Sequence, residues 1–333
     1  MGWKGTVRSI GAAVRAAERD AKRRQRELER QQKQYDKMQE LEQAAYEVDV
    51  YKNHIDVIQS IHKECSDPID WENISVSKGP KKPQKSRAFE REARSEFDKY
   101  TPGIIDKLFN REAKKRISLK ENIERSVQKD TAEYSKNIAT WESEVSDWEE
   151  SVAIANSLLE GSEKAKIESI DSLNPFSEIS NLGSNLTVSI GNNGIVEVTI
   201  YVHGDDIVPN EAKILLKSGK LSIKKMPKGR FNEIYQDYVC SCVLRVANEV
   251  FSTIPDKKVV VTAVDELLNP KTGHKEKSPI LSVFVSRATL QSLNMEAIDP
   301  SDSMNNFVHN MSFKKIKGFE AVSSIDTKFL ECV

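Results

Sequence analysis

YSKNIATWESEVSDWEESVAIANSLL, residues 134–159, decides the architecture of the N-terminal half. Tyr134, Ile138, Trp141, Val145, Trp148, Val152, Ala155 and Leu159 recur at alternating steps of four and three. That heptad spacing lays one apolar seam along a helix and is the mark of a coiled coil. The helical pattern starts at about Ile104, after the break Thr101-Pro102-Gly103, and Gly161 closes it. A shorter helix is expected between about Arg87 and Lys99.

Upstream, residues 6–64 hold no proline and, after Gly11, no glycine, and they are rich in strong helix formers. A second stripe runs through Tyr35, Met38, Leu41, Ala45, Val48, Tyr51, Ile55 and Ile58. The stretch before it, Ala21 to Gln34, offers only Leu28 as a sizeable apolar group and cannot bury a face. Between the two seams lie Asp67-Pro68, Gly79-Pro80 and Pro83, with Lys78, Lys81, Lys82, Lys85 and Arg87. Two seams joined by such a loop predict an antiparallel helical hairpin. Two tryptophans in one seam are bulky for a two-helix contact. Trp141, Val145, Trp148 and Val152 therefore serve either the hairpin's own core or an interface with another chain.

Beyond a polar stretch at 171–185 the period changes from helical to two. Leu186 to Ile190 and Ile195 to Val202 flank Gly191-Asn192-Asn193-Gly194, a hairpin signal; Ile214 to Leu216 and Leu221 to Ile223 flank Ser218-Gly219, a second. Asn232 to Ile254 reads as a helix. Lys258 to Val264 and Ile280 to Val285 read as buried strands, and Ala288 to Ala297 as a short helix. A further helix is expected within 301–313. The domain plan is thus a basic helical arm (1–34), an antiparallel hairpin or coiled coil (35–165) with its basic loop 65–87, a linker (166–185), and an α+β domain (186–333). The fold class is α+β, the second domain a mainly antiparallel sheet of five or six strands with helices on one side.

The chain has 333 residues, 30% of them charged, with a net charge of -1 and 38% hydrophobic residues. An ordinary globular chain has ~45–50% apolar residues, so one core spanning the whole length is not expected. No apolar run approaches the ~18 residues of a membrane span. Cys65, Cys240, Cys242 and Cys332 are few and irregularly placed, which fits reduced thiols and a cytoplasmic setting. Cys240 and Cys242 point about 200° apart on a helix and cannot clamp one metal; they read as structural thiols, and no cofactor is expected.

None of the five histidines sits in a recognisable nucleophile motif, and the chain has neither a phosphate loop nor a dinucleotide turn. Asp205, Asp206, Glu211 and Lys213 carry the residue types of a metal-dependent nuclease. Four residues separate Asp206 from Glu211, too few for the halves to lie on adjacent paired strands. A solvated turn accounts for the same letters. Charge is segregated. Lys217, Lys220, Lys224, Lys225, Lys228 and Arg230 lie in a stretch without any acid. They suit either a phosphate backbone or an edge strand guarded by lysines. From Lys4 to Lys37 the bases outnumber the acids by about two to one. Trp3, Val7, Ile10 and Val14, with Lys4, Arg8 and Arg15, suit docking into a partner groove or onto a membrane surface, and Met1-Gly2 with Thr6 fits the bare myristoylation pattern.

One resemblance is carried by residues 230–322. Tyr235, Leu244-Arg245, Glu249 and Phe251 share one helix. Asn269-Pro270-Lys271-Thr272-Gly273, Ile280-Leu281-Ser282-Val283, Leu290, Leu293 and Ile298-Asp299-Pro300 follow. Their order and spacing resemble an accessory region found ahead of the catalytic domain in some bacterial Mrr-type restriction endonucleases. Pro279 and Ser303 stand where that family tends to have cysteine. The chain stops at Val333, where the family continues into its metal-binding domain, so no catalytic residue is carried over. The resemblance implies a bacterial restriction or anti-phage setting without cleavage. The expected partners are a second copy of the chain or a separate effector, and possibly DNA. A degenerate metal-dependent nuclease and a peripheral membrane scaffold are the alternatives.

Overall fold

The structure, a computed structural model, describes residues 22, 40–103, 111–177, 185–191, 193–202 and 204–329. Most of the N-terminal arm, including Trp3, Val7, Ile10 and Val14, lies outside the described residues. The described chain is α+β and divides into two compact units. One is Ser75–Ala153; the other joins the residues up to Ile74 with Ile154–Val333.

In the first unit, helix α4 (Glu112–Leu159) runs 48 residues, about 72 Å at 1.5 Å per residue. The segment before helix α3 (Ala88–Lys99) lies along its seam. The indole nitrogen of Trp141 donates to the carbonyl of Pro80 at 2.9 Å. That of Trp148 donates to Ser77 Oγ, also at 2.9 Å. A side chain on Gly79 would meet the Trp148 ring at 3.1 Å. Lys82 sits over the Trp141 ring, 5.3 Å from its centre. Asp130, 3% exposed, caps α3 from the side, its carboxylate accepting the backbone N–H groups of Phe89 and Glu90 at 3.3 and 2.8 Å. A carboxylate there satisfies donors that a helix start leaves open.

In the second unit the central helix is α7 (Lys228–Thr253), buried on nearly all sides from Asn232 onward. It packs on the sheet with one face and on α1 (Glu40–Gln59) with another. A helix apolar all round needs neighbours all round. Cys240 and Cys242 are both fully buried there. Burial pushes the Cys242 thiol up to about 12 and raises that of Cys240, so both behave as inert apolar groups. The α1 stripe, Val48, Ile55 and Ile58, is buried in this unit. The antiparallel hairpin expected between the two apolar stripes is therefore not confirmed: the α1 stripe closes over α7, and the α4 tryptophans receive residues 77–82.

The sheet has six strands in the order β1-β2-β5-β6-β7-β8. They are β1 (Asn185–Ile190), β2 (Val196–Tyr201), β5 (Lys258–Leu268), β6 (Lys275–Ser286), β7 (Val308–Lys314) and β8 (Gly318–Glu320). Only β2 and β5 pair in parallel; the other pairs are antiparallel, as the sequence leads one to expect. On one face Val259, Val261, Ala263, Leu281, Val283 and Val285 are fully buried. On the other, Val260 and Phe284 take Ile195 and Ile325, and Ser282 Oγ accepts the Ile325 N–H at 3.0 Å. Strands β3 (Glu211–Leu215) and β4 (Leu221–Lys225) make a separate two-stranded sheet.

Two local expectations need sharper bounds. The helix expected within 301–313 is present but short, ending by Asn306. The cap signal is genuine: Asp299 accepts the N–H groups of Ser301 and Asp302 and Pro300 starts α9 (Pro300–Ser303). The following residues then pair with β6 as β7, because an open sheet edge outweighs weak helical propensity. Residues 166–185 are not a plain linker. Ser162 caps a further helix, α5 (Glu163–Leu173), which ends at Asn174 in the left-handed region at φ 43°. Lys166 is held there by Asp256 at 2.8 Å and by the Gly194 carbonyl at 2.9 Å. Among the described residues no helix is long and apolar enough to cross a membrane.

Candidate nucleic-acid interface

The β3–β4 hairpin carries the cations singled out from sequence. Its strands pair from Glu211↔Lys225 to Leu215↔Leu221, and Gly219 at φ +77° closes the turn. Glycine reaches that φ without steric cost. Lys217, Lys220, Lys224 and Lys225 are exposed, as are Lys228 and Arg230 just beyond, where the chain enters α7. Arg230 reaches Glu233 at 3.9 Å; among the described residues no ion pair engages the other five. Ile214, Leu215, Leu216 and Ile223 are 44–48% exposed on the same hairpin. One side of the hairpin thus meets α1, and its turn and outer side chains are exposed.

At the contact with α1, Lys213 Nζ lies 3.0 Å from Glu47 Oε2, and the His54 ring donates to the Ile207 carbonyl at 2.8 Å. The Met226 N–H reaches the Asn210 carbonyl at 2.8 Å, closing the base of the hairpin. Between α1 and the start of β3 runs an open groove of 480 Å³ lined by Val50, Tyr51, Pro209, Glu211 and Lys213 among others. It gathers two of the four residues of the nuclease pattern. Asp206 lies in the short helix α6 (Gly204–Ile207) and is exposed; the side chain of Asp205 is outside the described set. Lys213 is engaged by a carboxylate of α1. Among the described residues no group of three His, Cys, Asp or Glu side chains is placed to hold a metal ion.

Sequence reading missed three cations. Lys314, Lys315 and Lys317, on the β7–β8 turn, are exposed. Asn232 of α7 donates to the Lys315 carbonyl at 2.7 Å. Gly318 at φ +89° closes that turn. The signal was present as Lys-Lys-Ile-Lys-Gly at 314–318.

Of the residues behind the family resemblance, those on α7 turn out to be interior, whereas Pro270 to Gly273 and Asp299 are exposed. Arg245 and Glu249, 3% and 1% exposed, pair at 2.8 Å, and Glu249 accepts the Ser66 N–H at 3.1 Å. The Tyr235 hydroxyl donates to Asp265, and its ring meets Phe319 edge-on at 5.5 Å. Comparison with family models, with curated proteins and with solved structures finds no match.

Proposed function

We propose that this chain is a non-catalytic component of a bacterial restriction or anti-phage defence system, acting by binding nucleic acid and a protein partner. One observation carries the nucleic-acid half: the β3–β4 hairpin stands apart from the main sheet, and Lys217, Lys220, Lys224 and Lys225 on it are exposed, with no carboxylate among the described residues engaging them. Each phosphate neutralised releases counterions and adds a salt-dependent increment of affinity. The order and spacing of residues 230–322 support the defence setting. The long helix α4, with Ile117 and Val127 exposed, supports an arm on which a second copy or an effector is held.

The test is titration of labelled DNA with the full chain. Replacing Lys217, Lys220, Lys224 and Lys225 together by Glu is expected to weaken binding at least ~100-fold at moderate salt, since reversing four charges removes several phosphate contacts. Equal affinity of the variant and the parent would overturn the reading. Plasmid incubated with Mg²⁺ or Mn²⁺ is expected to stay intact; cleavage abolished by Asp206→Ala would return the nuclease alternative instead.

A further inference from the structure

We propose that the β7–β8 turn is a second phosphate contact, continuous with the hairpin through the first turn of α7, and that the ligand of the combined surface is duplex DNA. This rests on the reading of the hairpin as a nucleic-acid contact and extends it to residues far away in sequence.

The fold joins the turn to α7 closely. Asn232 donates to the Lys315 carbonyl at 2.7 Å. The Lys315 side chain lies across Gly229, with its Cε 3.3 Å from where a Cβ would stand. Lys228 and Arg230 flank that glycine, and Lys224 and Lys225 end the strand that leads into it. Cations from β4, from the start of α7 and from the turn therefore share one exposed surface.

Carboxylates offset only part of this charge. Glu233 is shared by Lys315 and Arg230. Glu320 takes Lys314 at 3.2 Å. All three are surface pairs, worth little in water, and a phosphate oxygen can replace either carboxylate. Lys317 adds a further exposed cation at the tip.

The choice of duplex over single strand comes from the aromatic rings. Single strands are gripped by exposed rings on which bases stack. The rings of this region face one another instead. Phe231 and Tyr235 have centres 6.5 Å apart, Tyr235 and Phe319 5.5 Å, and Phe313 and Phe319 5.2 Å. What is left exposed is a set of cations with aliphatic side chains between them (Ile214, Leu215, Leu216, Ile223 and Ile316) rather than a stacking platform, and the cations suit a regular phosphate backbone.

The experiment measures anisotropy of labelled duplex (about 30 bp, ~100 Å at 3.4 Å per step) and of one of its strands alone, over a range of salt. The full chain is compared with a turn variant (K314Q, K315Q and K317Q together) and a hairpin variant (K217Q, K220Q and K224Q together). Both change exposed side chains, and circular dichroism checks that the fold is retained. The turn variant is expected to bind duplex ~10-fold or more weakly, with a log–log salt slope shallower by about two to three (~0.9 per phosphate contact). A hairpin variant that weakens while the turn variant keeps the parent's affinity and slope overturns this inference and leaves the hairpin reading standing. A parent that binds neither duplex nor strand overturns the hairpin reading as well. A parent that prefers the single strand overturns the choice of duplex.

Discussion

Arg245 and Glu249 show how a conspicuous pair of charges can belong to the core. Four residues apart on α7, they face the same way, and the fold buries both. A buried pair of this kind is weak evidence for added stability, but removing one member is costly. Glu249→Ala takes from Arg245 its 2.8 Å partner and from Ser66 its acceptor. The expected loss is about 3 kcal/mol, read as a lower midpoint in urea unfolding. Replacing both together with apolar residues of similar size should cost much less.

His62 makes a separate prediction about pH. It is 1% exposed, with Nδ1 2.7 Å from Ser241 Oγ. Burial lowers its pKa, and Lys63 adds to that; the Met295 carbonyl and the charges of Glu296 and Asp299 oppose it. The unfolded chain, near the ordinary ~6.5, therefore takes up the proton first. The resulting stability is complete above about pH 6.5 and is lost as pH falls through the lowered folded value. Urea midpoints should drop on acidification, and less so in His62→Gln. Equal slopes in parent and variant would show that His62 is not the group responsible.

Among the elements, α4 is the one whose reading from sequence was right in kind and incomplete in partner. The heptad seam forms a helix as its spacing requires. At its end Leu158 is 1% exposed and Leu159 is 41%, a drift that follows because 3.6 residues per turn does not match a strict seven-residue repeat. Periodicity states that a stripe must be covered; it does not state by what. Here an extended segment carrying Gly79, Pro80 and Pro83 covers Trp141 and Trp148, held by two indole hydrogen bonds. Trp148→Ala is expected to release that segment. Trypsin should then cut after Lys78 and Lys81 in the variant while sparing the parent. The cost, about 2 kcal/mol, is below the ~3–5 of a fully buried tryptophan because this one is half-buried.

For the molecule as a whole, sequence by itself determined the class of each half. The change from a helical period to an alternating one separates the long helix from the sheet, and glycine-bearing turns set the β1–β2 and β3–β4 hairpins. The exposed lysines of β3–β4 were also legible, since an acid-free run of cations has no local partner to bury it. Tertiary structure alone decided three things: that α1 closes over α7, that residues 308–314 join the sheet, and that Lys315 of the β7–β8 turn comes to lie across Gly229, next to Lys228 and Arg230 in the chain. Each depends on contacts between residues distant in the chain. Local propensity and hydrophobic period fix which face of a segment is apolar, whereas the partner for that face is chosen by the burial available once every element competes for it.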